Sequence, residues 1–363
     1  MTTAATGQHQ YACSSCGAAL EFKPGTSSMV CPYCGATVAI TASTDSTKHD
    51  YIAYANEPHP PVETLPAFTV SCRNCGSSQT TTAIAGRCQS CRGAIVVTDD
   101  LGGELKAPDG VVPFAIDDKR AAACFRDWAS SRWFAPNAFK KVGTAESMRG
   151  GYLPHWSFDD KTTTDYTGER GEHYYTTETY TENGQTHTRQ VQHTAWYPAS
   201  GRVQREFVDV LAPGVTVPDR DTLDDLGPWS TAGATGYESE YLAGYDVPRY
   251  AVMADVGFTD AKQEMARVIE DDCRADIGGD EQRVESMTTA DANLLFRLLL
   301  LPLWFATYVF AGATYHVYVN ANTGKVIGDR PYSKVKIAFA VLVGLLVAGA
   351  IAYVYVRSRS SGG

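Results

Sequence analysis

The chain has 363 residues, of which 44% are hydrophobic and 20% are charged, so it is long enough for two or three domains with proper cores. Its formal net charge of −10 argues against a protein whose main work is binding phosphate backbones, because that binding comes mostly from clustered Lys and Arg. The first residues, MTTAATGQHQYACSSC, lack the basic and apolar stretches of a signal peptide. We therefore expect a reducing compartment, where paired cysteines indicate metal binding rather than disulfides.

The cysteine pattern is the strongest chemical signal in the chain. Eight of the ten cysteines form four Cys-x-x-Cys pairs, in two modules at residues 11–40 and 68–98. Two facing pairs supply the four thiolates that zinc prefers, and four protein ligands leave no position for water or substrate, so we predict two structural Zn²⁺ ions. A redox function would need a single pair at the start of a helix, which this arrangement does not favour. The predicted ligands are Cys13, Cys16, Cys31 and Cys34 for one ion, and Cys72, Cys75, Cys88 and Cys91 for the other.

Glycine follows most of these pairs, where it relieves a tight turn whose backbone N–H groups point at sulfur. Gly17, Gly35 and Gly76 occupy that position, whereas Arg92 takes it in the fourth pair. The two remaining cysteines, at positions 124 and 273, lie in helix-like stretches and are expected to be small buried side chains.

Between the modules, residues 41–67 are rich in Thr, Ser and Pro without an apolar period, which is typical of a linker. The stretch DDLGGELKAPDG, residues 99–110, indicates a second joint. Residues 111–330 are then expected to form an α+β domain. The predicted fold class is thus α+β, with two zinc ribbons, this domain and a C-terminal transmembrane helix.

In the α+β region, VVPFAI predicts a short buried strand, and Asp117 is a suitable N-cap for a following helix. That helix has one apolar face, formed by Ala122, Phe125, Trp128 and Ala129. A Thr/Tyr/Val-rich strand section begins at GYLPHWSFDD and turns at Asn183-Gly184, and GRVQREFVDVLAP indicates a further strand. TDAKQEMARVIEDDCRADI predicts a second helix.

The apolar residues 298–313 admit two interpretations, a second membrane segment or a buried strand. Arg297 and Pro302 interrupt the run, and the residues after it alternate before the turn NANTG, so we predict strand, hairpin and strand. Leu-Pro-x-Trp occurs in both YLPHWSFDD and LLPLWFATY, each after a helix, which indicates an internal duplication.

Residues 337–356, IAFAVLVGLLVAGAIAYVYV, contain no charge and span about 30 Å as a helix, the thickness of a hydrocarbon core. Cations flank both ends, and two tyrosines lie near the second boundary. We predict a single-pass, tail-anchored protein of the cell membrane with its N-terminal domains in the cytoplasm. The flanking residues are Lys334, Lys336, Tyr353, Tyr355, Arg357 and Arg359.

Catalytic motifs are missing from the sequence, so we expect a protein that is not an enzyme. There is no G-x-x-x-x-G-K-[ST] loop, H-E-x-x-H or G-x-S-x-G. The carboxylates of DDLGGE, SFDDK and IEDDC are expected at the surface or at caps, and no small-molecule substrate is evident. The histidines and tryptophans do not require a functional explanation either. His173, His187 and His193 are expected at exposed positions of paired strands. Core or interface positions are expected for Trp133, Trp156, Trp196, Trp229 and Trp304.

Zinc ribbons often bind nucleic acid, so the charge near the modules matters. Residues 1–110 contain six Lys and Arg against nine Asp and Glu. The best nucleic-acid signal is Arg73, Arg87 and Arg92 on the second ribbon, and a solvated face explains it equally well. The balance favours ribbons that dock protein.

Several stretches resemble a bacterial family that joins TFIIB-type zinc ribbons to an α+β region and C-terminal membrane helices. They are the cysteine knuckles, GVVPFAIDDKRAAACFRDWASSRWFAPNAF, GYLPHWSFDD, EYLAGYDV and LLPLWFATYVFAGATYHVYVNANTGKVIGDRPYSK. Relatives are often labelled helicase-like or primosomal, a label that the missing nucleotide loop contradicts here. Some are encoded beside a PspA-like protein and an SPFH-domain protein, so the resemblance implies soluble partners of these kinds and a role in envelope stress or membrane maintenance. The sequence leaves open whether the protein is oligomeric. One membrane helix stands where relatives can have a pair.

The leading hypothesis is a membrane-anchored zinc-ribbon adaptor that docks soluble proteins at the cytoplasmic face. The alternative is a membrane-tethered nucleic-acid binder, and an enzyme with a site in the α+β domain is a third hypothesis.

Overall fold

The computed structural model describes residues 8–9, 11–43, 45–59, 67–72, 75–97, 106–136, 148–182 and 185–360. Several sequence features fall outside this part of the chain. They are the turn at Asn183-Gly184, Arg73, residues 99–105 of the second joint and the last three residues of FAPNAF.

The N-terminal third contains short strands around the cysteine pairs. β2, β3 and β4 form one antiparallel sheet, β6 pairs with β7, and β1 adds an edge strand to β9 and β8 of the second module. The elements are β1 Gln8–His9, β2 Glu21–Phe22, β3 Ser28–Val30, β4 Thr37–Ala39, β5 His49–Asp50, α1 Tyr51–Ala55, β6 Phe68–Ser71, β7 Ser78–Thr81, β8 Ala85–Arg87 and β9 Ala94–Val97.

The rest of the chain is built on one large sheet of long strands. The hydrogen-bonded order is β12-β11-β14-β10-β13, and β15 and β5 also pair with β14. The elements are β10 Gly110–Val111, α2 Asp118–Ser131, β11 Arg149–Glu182, β12 Gln185–Pro213, α3 Arg220–Leu226, β13 Thr235–Gly236, α4 Ala254–Ile277, β14 Glu281–Phe310, β15 Ala313–Asn320, β16 Val326–Gly328 and α5 Lys334–Ser360.

The fold is a mixture of helices and strands, in agreement with the predicted class. Helices α2 and α4 form where predicted, and Asp117 caps α2 by accepting from the N–H of Arg120 at 2.8 Å. Residues 298–310 belong to β14, which pairs with β15 as the predicted hairpin. Arg297, which interrupts the apolar run, is almost fully buried and its Nη2 donates to Asp209 Oδ1 at 2.6 Å.

Three expectations differ from the structure. Of VVPFAI, residues 111–116, only Val111 belongs to a strand, β10, although Val112 and Phe114 are buried. The two strands predicted on either side of Gly201 are one continuous strand, β12. Residues 49–55, expected in a linker, form β5 and α1, and Tyr51 is buried against Phe158 and Phe296. Tyr51, Tyr54 and the pairing of β5 with β14 hold this segment on the sheet, which an apolar period does not reveal.

Side chains alternate along β11 and β14, so each strand buries both faces. One face packs against α2, α4 and the cysteine modules through large aromatic residues such as Trp156 and Trp304. The opposite face packs against α3 through Leu153 and Leu303. Burial on both sides explains the near-continuous apolar sequence of β14 between residues 294 and 306.

The two Leu-Pro-x-Trp segments lie side by side at the centre of the sheet. They run antiparallel, and Leu153 pairs with Leu301. Trp156 Nε1 donates to Val252 O at 2.8 Å, two residues before α4, and Trp304 Nε1 donates to Ile116 O at 3.0 Å, two residues before α2. Each indole N–H group therefore fixes the backbone just before the N-terminus of one helix.

The correspondence extends to the surrounding contacts. The rings of Tyr250 and Phe114, each four residues before its helix, lie edge-on to the two indoles, at 5.1 and 5.0 Å between centroids. After each hairpin, a backbone N–H group donates a hydrogen bond to a carbonyl group in the first strand of that hairpin. These bonds are Gly214 N to Pro154 O at 2.8 Å and Ala321 N to Pro302 O at 3.2 Å. The two helix–hairpin units thus make equivalent contacts about a local two-fold axis between β11 and β14.

We predict that Gly257→Ala destabilises the protein, because a Cβ at Gly257 in α4 would lie 2.8 Å from Cδ1 of Trp156. The free energy of unfolding should fall by about 1–3 kcal/mol, the usual cost of overpacking, although alanine ordinarily stabilises a helix. Denaturant unfolding of the full-length protein in detergent measures this. Gly233→Ala is the control, since a Cβ there meets no atom within 4 Å. Equal stability of the Gly257→Ala variant and the parent protein would contradict the packing described here.

Candidate metal centres and the segment that joins them

The first cysteine module brings its four predicted ligands together. Cys13 and Cys34 have their Sγ atoms 3.5 Å apart, as do Cys16 and Cys31, and the four sulfurs all lie within 4.8 Å of one another. Four sulfurs at about 2.3 Å from a tetrahedral zinc ion would be separated by about 3.8 Å. The cluster therefore has the size of a four-thiolate metal site.

Backbone hydrogen bonds hold these sulfurs in place. In the first pair, Cys13 N donates to Ala18 O at 2.7 Å and Gly17 N donates to Cys13 O at 2.8 Å. The second pair repeats both bonds around Cys31, and the glycines that follow each pair have φ of +76° and +75°. Each knuckle is thus a tight turn that requires a left-handed residue, in agreement with the glycine pattern in the sequence.

The second module has the same construction. The Sγ atoms of Cys72 and Cys91 are 3.6 Å apart, those of Cys75 and Cys88 are 3.8 Å apart, and all four again lie within 4.8 Å. Arg92 occupies the left-handed position of the last knuckle with φ of +63°, and its N–H donates to Cys88 O at 2.9 Å. An arginine therefore adopts here the conformation that glycine adopts in the other three knuckles.

The surroundings favour the thiolate, the form that binds metal, at some of these sulfurs but not at all of them. At Cys16 and Cys34 a backbone N–H group would lower the pKa, but hydrogen bonds with the neighbouring sulfurs raise it. Backbone N–H groups of Ser15 and Cys16 lower the pKa of Cys13 to about 6. The Ser77 hydroxyl, 3.3 Å from Cys88 Sγ, and the N–H of Cys91 lower the pKa of Cys88 to about 6. The two clusters could hold two metal ions, and their all-sulfur, four-fold chemistry fits zinc in closed structural sites.

Both modules are fastened to one segment of the α+β region, residues 239–249, here named the junction segment. Phe22 N of the first module donates to Ala243 O at 2.9 Å. In the second module, Ile84 N donates to Val247 O at 2.8 Å, and Val247 N returns a bond to Ala85 O at 2.9 Å. The modules therefore share a backbone contact with the same eleven residues.

Side chains reinforce this contact. The rings of Phe22 and Tyr241 pack edge-on with centroids 5.1 Å apart, and Arg249 Nε donates to Thr82 O at 3.0 Å. The junction segment is held to the sheet in turn, since Tyr152 N donates to Asp246 O at 2.9 Å. Sequence reasoning did not identify this segment as a joint, because its bonds use backbone groups that leave no residue pattern.

The modules also touch each other. Arg87 Nη1 of the second module donates to Glu21 Oε1 of the first at 2.6 Å and to Arg92 O at 3.3 Å. Beyond this ion pair, an open groove of about 800 Å³ separates the outer knuckles of the two modules. We name it the knuckle groove; Pro32, Tyr33 and Arg92 line it, and Tyr33 is 84% exposed.

This arrangement bears on the predicted nucleic-acid signal. Of the three arginines, Arg87 is engaged by Glu21, and Arg73 lies outside the described residues. Arg87 and Arg92 both line the knuckle groove. Among the described residues, this surface thus holds two of the three arginines, and Glu21 pairs with one of them.

The other residues singled out from the sequence occupy structural positions. Cys273 and Trp156 are buried, Cys124 is half-buried, and Trp133 is exposed. His173, His187 and His193 lie on the ladder between β11 and β12, as predicted. Trp304 is buried, and Trp196 and Trp229 are half-buried.

The expectation that the SFDDK carboxylates are superficial is wrong for Asp160. Its side chain is fully buried, with Oδ2 3.4 Å from Lys262 Nζ, while Asp291 contacts the same amine at 2.5 Å. Burial first and the nearby Asp291 second raise the pKa of Asp160. The three residues lie more than 28 positions apart along the chain, so sequence spacing could not show the cluster.

A second polar network was also missed. Lys48, from the predicted linker, contacts Asp159 and lies 3.1 Å from Asp209 Oδ1. Burial alone would raise the pKa of Asp209, but hydrogen bonds from Thr231 and the charge of Arg297 hold it at about 2. Asp209 has φ of +54° at a bulge between β11 and β12, a conformation more frequent for Asp than for most residues.

Comparison with known proteins gives one similarity of considerable length. The uncharacterized protein YdjG of Bacillus subtilis (strain 168) is 27% identical over 250 residues, which cover 68% of this chain and 70% of that protein. No family model matches the chain, and no solved structure matches it.

We predict that the full-length protein carries two zinc ions per chain and that Cys31→Ser and Cys88→Ser each reduce this number to one, because each removes a ligand from a different cluster. Elemental analysis of the purified protein measures the metal content. Cys124→Ser is the matched control, since this half-buried cysteine belongs to neither cluster and should leave both ions bound. Unchanged zinc in either ligand variant would contradict the assignment.

Proposed function

We propose that this protein is a membrane-anchored zinc-ribbon adaptor that docks soluble proteins at the cytoplasmic face of the membrane. The single observation that carries the proposal is the character of α5. Residues Lys334–Tyr353 have a mean hydropathy of 2.5, and none of this window is buried inside the protein. A core helix of such composition would be covered by the domain, whereas a membrane span is left bare for lipid.

The cysteine chemistry supports a location of the N-terminal region on the cytoplasmic side of the membrane. Eight thiols at metal-binding separation are preserved best where glutathione and thioredoxin keep thiols reduced. The proposed arrangement is therefore an N-terminal region in the cytoplasm followed by α5 in the membrane.

The knuckle groove is the docking surface that we propose for a partner. Tyr33 presents an exposed aromatic ring beside Pro32, the type of side chain that dominates binding energy at protein interfaces. The ion pair of Arg87 with Glu21 fixes the two walls of the groove relative to each other. Four-thiolate sites have no open coordination position, so the proposal gives the metal ions a structural role and assigns no catalysis.

The family resemblance of the knuckles and of EYLAGYDV suggests the partners: an SPFH-domain protein or a PspA-like protein. EYLAGYDV lies within the junction segment, which fastens both modules to the sheet. In the proposed adaptor, this stretch holds the ribbons in a fixed geometry. Roles in envelope stress or membrane maintenance follow from these partners as part of the proposal.

A vesicle flotation experiment tests the adaptor function. Vesicles that carry the full-length protein are mixed with the purified PspA-like protein or SPFH-domain protein of the same genome. We expect one of them to float with the vesicles and Tyr33→Ala to weaken this binding about ten-fold or more, because exposed aromatic contacts often contribute over 1.4 kcal/mol. Tyr175→Ala, an exposed tyrosine on β11 far from the groove, should leave the binding unchanged.

Failure of both proteins to float would count against the adaptor. The same vesicles mixed with labelled duplex DNA or with RNA at low salt test the alternative. Retention that weakens with added salt and with Arg92→Gln would replace the adaptor by a nucleic-acid binder.

A further inference from the structure

The end of the domain from which α5 departs carries exposed aromatic side chains. Trp133 is 72% exposed and Tyr332 58% exposed, and Phe134 is also exposed. These residues lie directly at the helix start, because Ser333 N donates to Phe134 O at 2.8 Å. Lys336 Nζ donates to Ala135 O at 2.8 Å and to Trp133 O at 3.1 Å. The corner formed by residues 132–136 is thus bonded to the first turn of α5.

The hairpin between β14 and β15 points to the same end. β16 runs antiparallel to β15, with Val317 opposite Gly328, so the chain that leaves β16 travels towards the tip of that hairpin. Asp329 N donates to His316 O at 3.0 Å, and Tyr308 Oη donates to Asp329 O at 2.7 Å. Five residues later the chain enters α5.

The tip of this hairpin is suited to a lipid surface. Residues 307–315, TYVFAGATY, contain no charged side chain, and Val309 is 65% exposed. An uncharged, apolar tip open to water is unfavourable unless another apolar medium covers it. The tip of the long hairpin between β11 and β12 has polar sequence instead, with EHYYTTETYTE on one strand.

The charge of the same end is positive. Residues 130–136 and 330–336 contain four cations and no Asp or Glu: Arg132, Arg330, Lys334 and Lys336. Each cation close to an anionic leaflet contributes about 1 kcal/mol of attraction. Trp and Tyr beside cations at the start of an apolar helix are typical of the boundary between water and hydrocarbon.

We propose that this end of the domain, composed of residues 132–136, 307–315 and 330–336, is a second membrane-contacting surface that rests on anionic phospholipid. This proposal depends on the membrane anchoring by α5 proposed above and adds that the domain lies directly on the bilayer. Trp133, Phe134, Tyr332 and Val309 enter the headgroup region, and the four cations contact lipid phosphates. The hydrogen bonds between residues 132–136 and α5 prevent the domain from swinging about the helix.

Contact of this surface with the bilayer would fix the orientation of the long hairpin formed by β11 and β12. β14 starts at Glu281 and ends at Phe310 near the membrane, and its 30 residues have a contour of about 95 Å at about 3.3 Å per residue. Gly171 is the last residue of β11 that pairs with β14, opposite Glu281. Residues 172–182 and 185–195 extend further as a two-stranded arm, which therefore points away from the bilayer.

Fluorescence quenching by brominated lipid tests the proposal with the full-length protein. The protein is inserted in vesicles of phosphatidylcholine and phosphatidylglycerol whose acyl chains carry bromine near the headgroups, and in identical vesicles without bromine. We expect bromine to reduce the tryptophan emission, and Trp133→Phe to decrease that bromine-dependent loss at least about two-fold, because Trp133 lies in the interfacial layer. Trp196→Phe is the matched control: Trp196 pairs with Gly171 at the opposite end of the sheet and should not alter the quenching.

Two further measurements separate this proposal from the proposed function. Alkaline carbonate extraction reports whether α5 holds the protein in the membrane, and release of the protein would overturn the anchoring itself. Retention together with equal quenching in the Trp133→Phe variant and the parent protein would overturn the membrane-contacting surface alone. If brominated lipid does not reduce the Trp133 emission but a soluble partner shifts its wavelength, this surface binds a protein rather than lipid.

Discussion

The whole molecule depends on the backbone hydrogen bonds that join both cysteine modules to the junction segment, residues 239–249. A cysteine module of about thirty residues buries too little apolar surface to be stable alone, so we infer that metal and neighbouring structure stabilise it together. Ala243 and Val247 provide acceptors for the two modules, and Tyr152 ties the same segment to the sheet. The ribbons are consequently parts of one folded unit, and the knuckle groove keeps a fixed position relative to the sheet.

The sheet gives this unit a direction. At its centre, two equivalent Leu-Pro-x-Trp segments pair antiparallel. Their indoles, Trp156 and Trp304, donate hydrogen bonds to the backbone just before the N-termini of α4 and α2. We infer that an ancestral helix–hairpin unit was duplicated and that the copies then diverged. One hairpin is the long polar arm, and the other is short and apolar beside α5. This difference agrees with the proposed orientation, in which one end lies on a bilayer and the other points away from it.

Much of this architecture is encoded locally and was accessible from the sequence. The Cys-x-x-Cys spacing with its following glycines placed both metal clusters, and Asp117 predicted the start of α2. Arg297 indicated that the apolar run after it is not a membrane span, and it is indeed buried in an ion pair with Asp209. The features that escaped prediction depend on residues far apart in the chain: Lys48 with Asp159, Arg87 with Glu21, and the backbone bonds of Val247. Such contacts leave no periodic pattern, and the length of β11 and β12 depends on each strand having the other as a partner.

The most direct measurement of the central claim is hydrogen–deuterium exchange of the full-length protein in detergent, before and after zinc removal by a chelator. If the ribbons and the sheet are one unit, loss of metal will accelerate exchange not only at Phe22 and Ile84 but also across residues 241–249, since the amide of Val247 loses its acceptor in the second module. The amides of α4 should stay protected in both states, because the contacts of that helix with β11, β12 and β14 do not depend on the metal. Rapid exchange in the ribbons with unchanged protection of residues 241–249 would show that the modules are independent domains and would contradict the account.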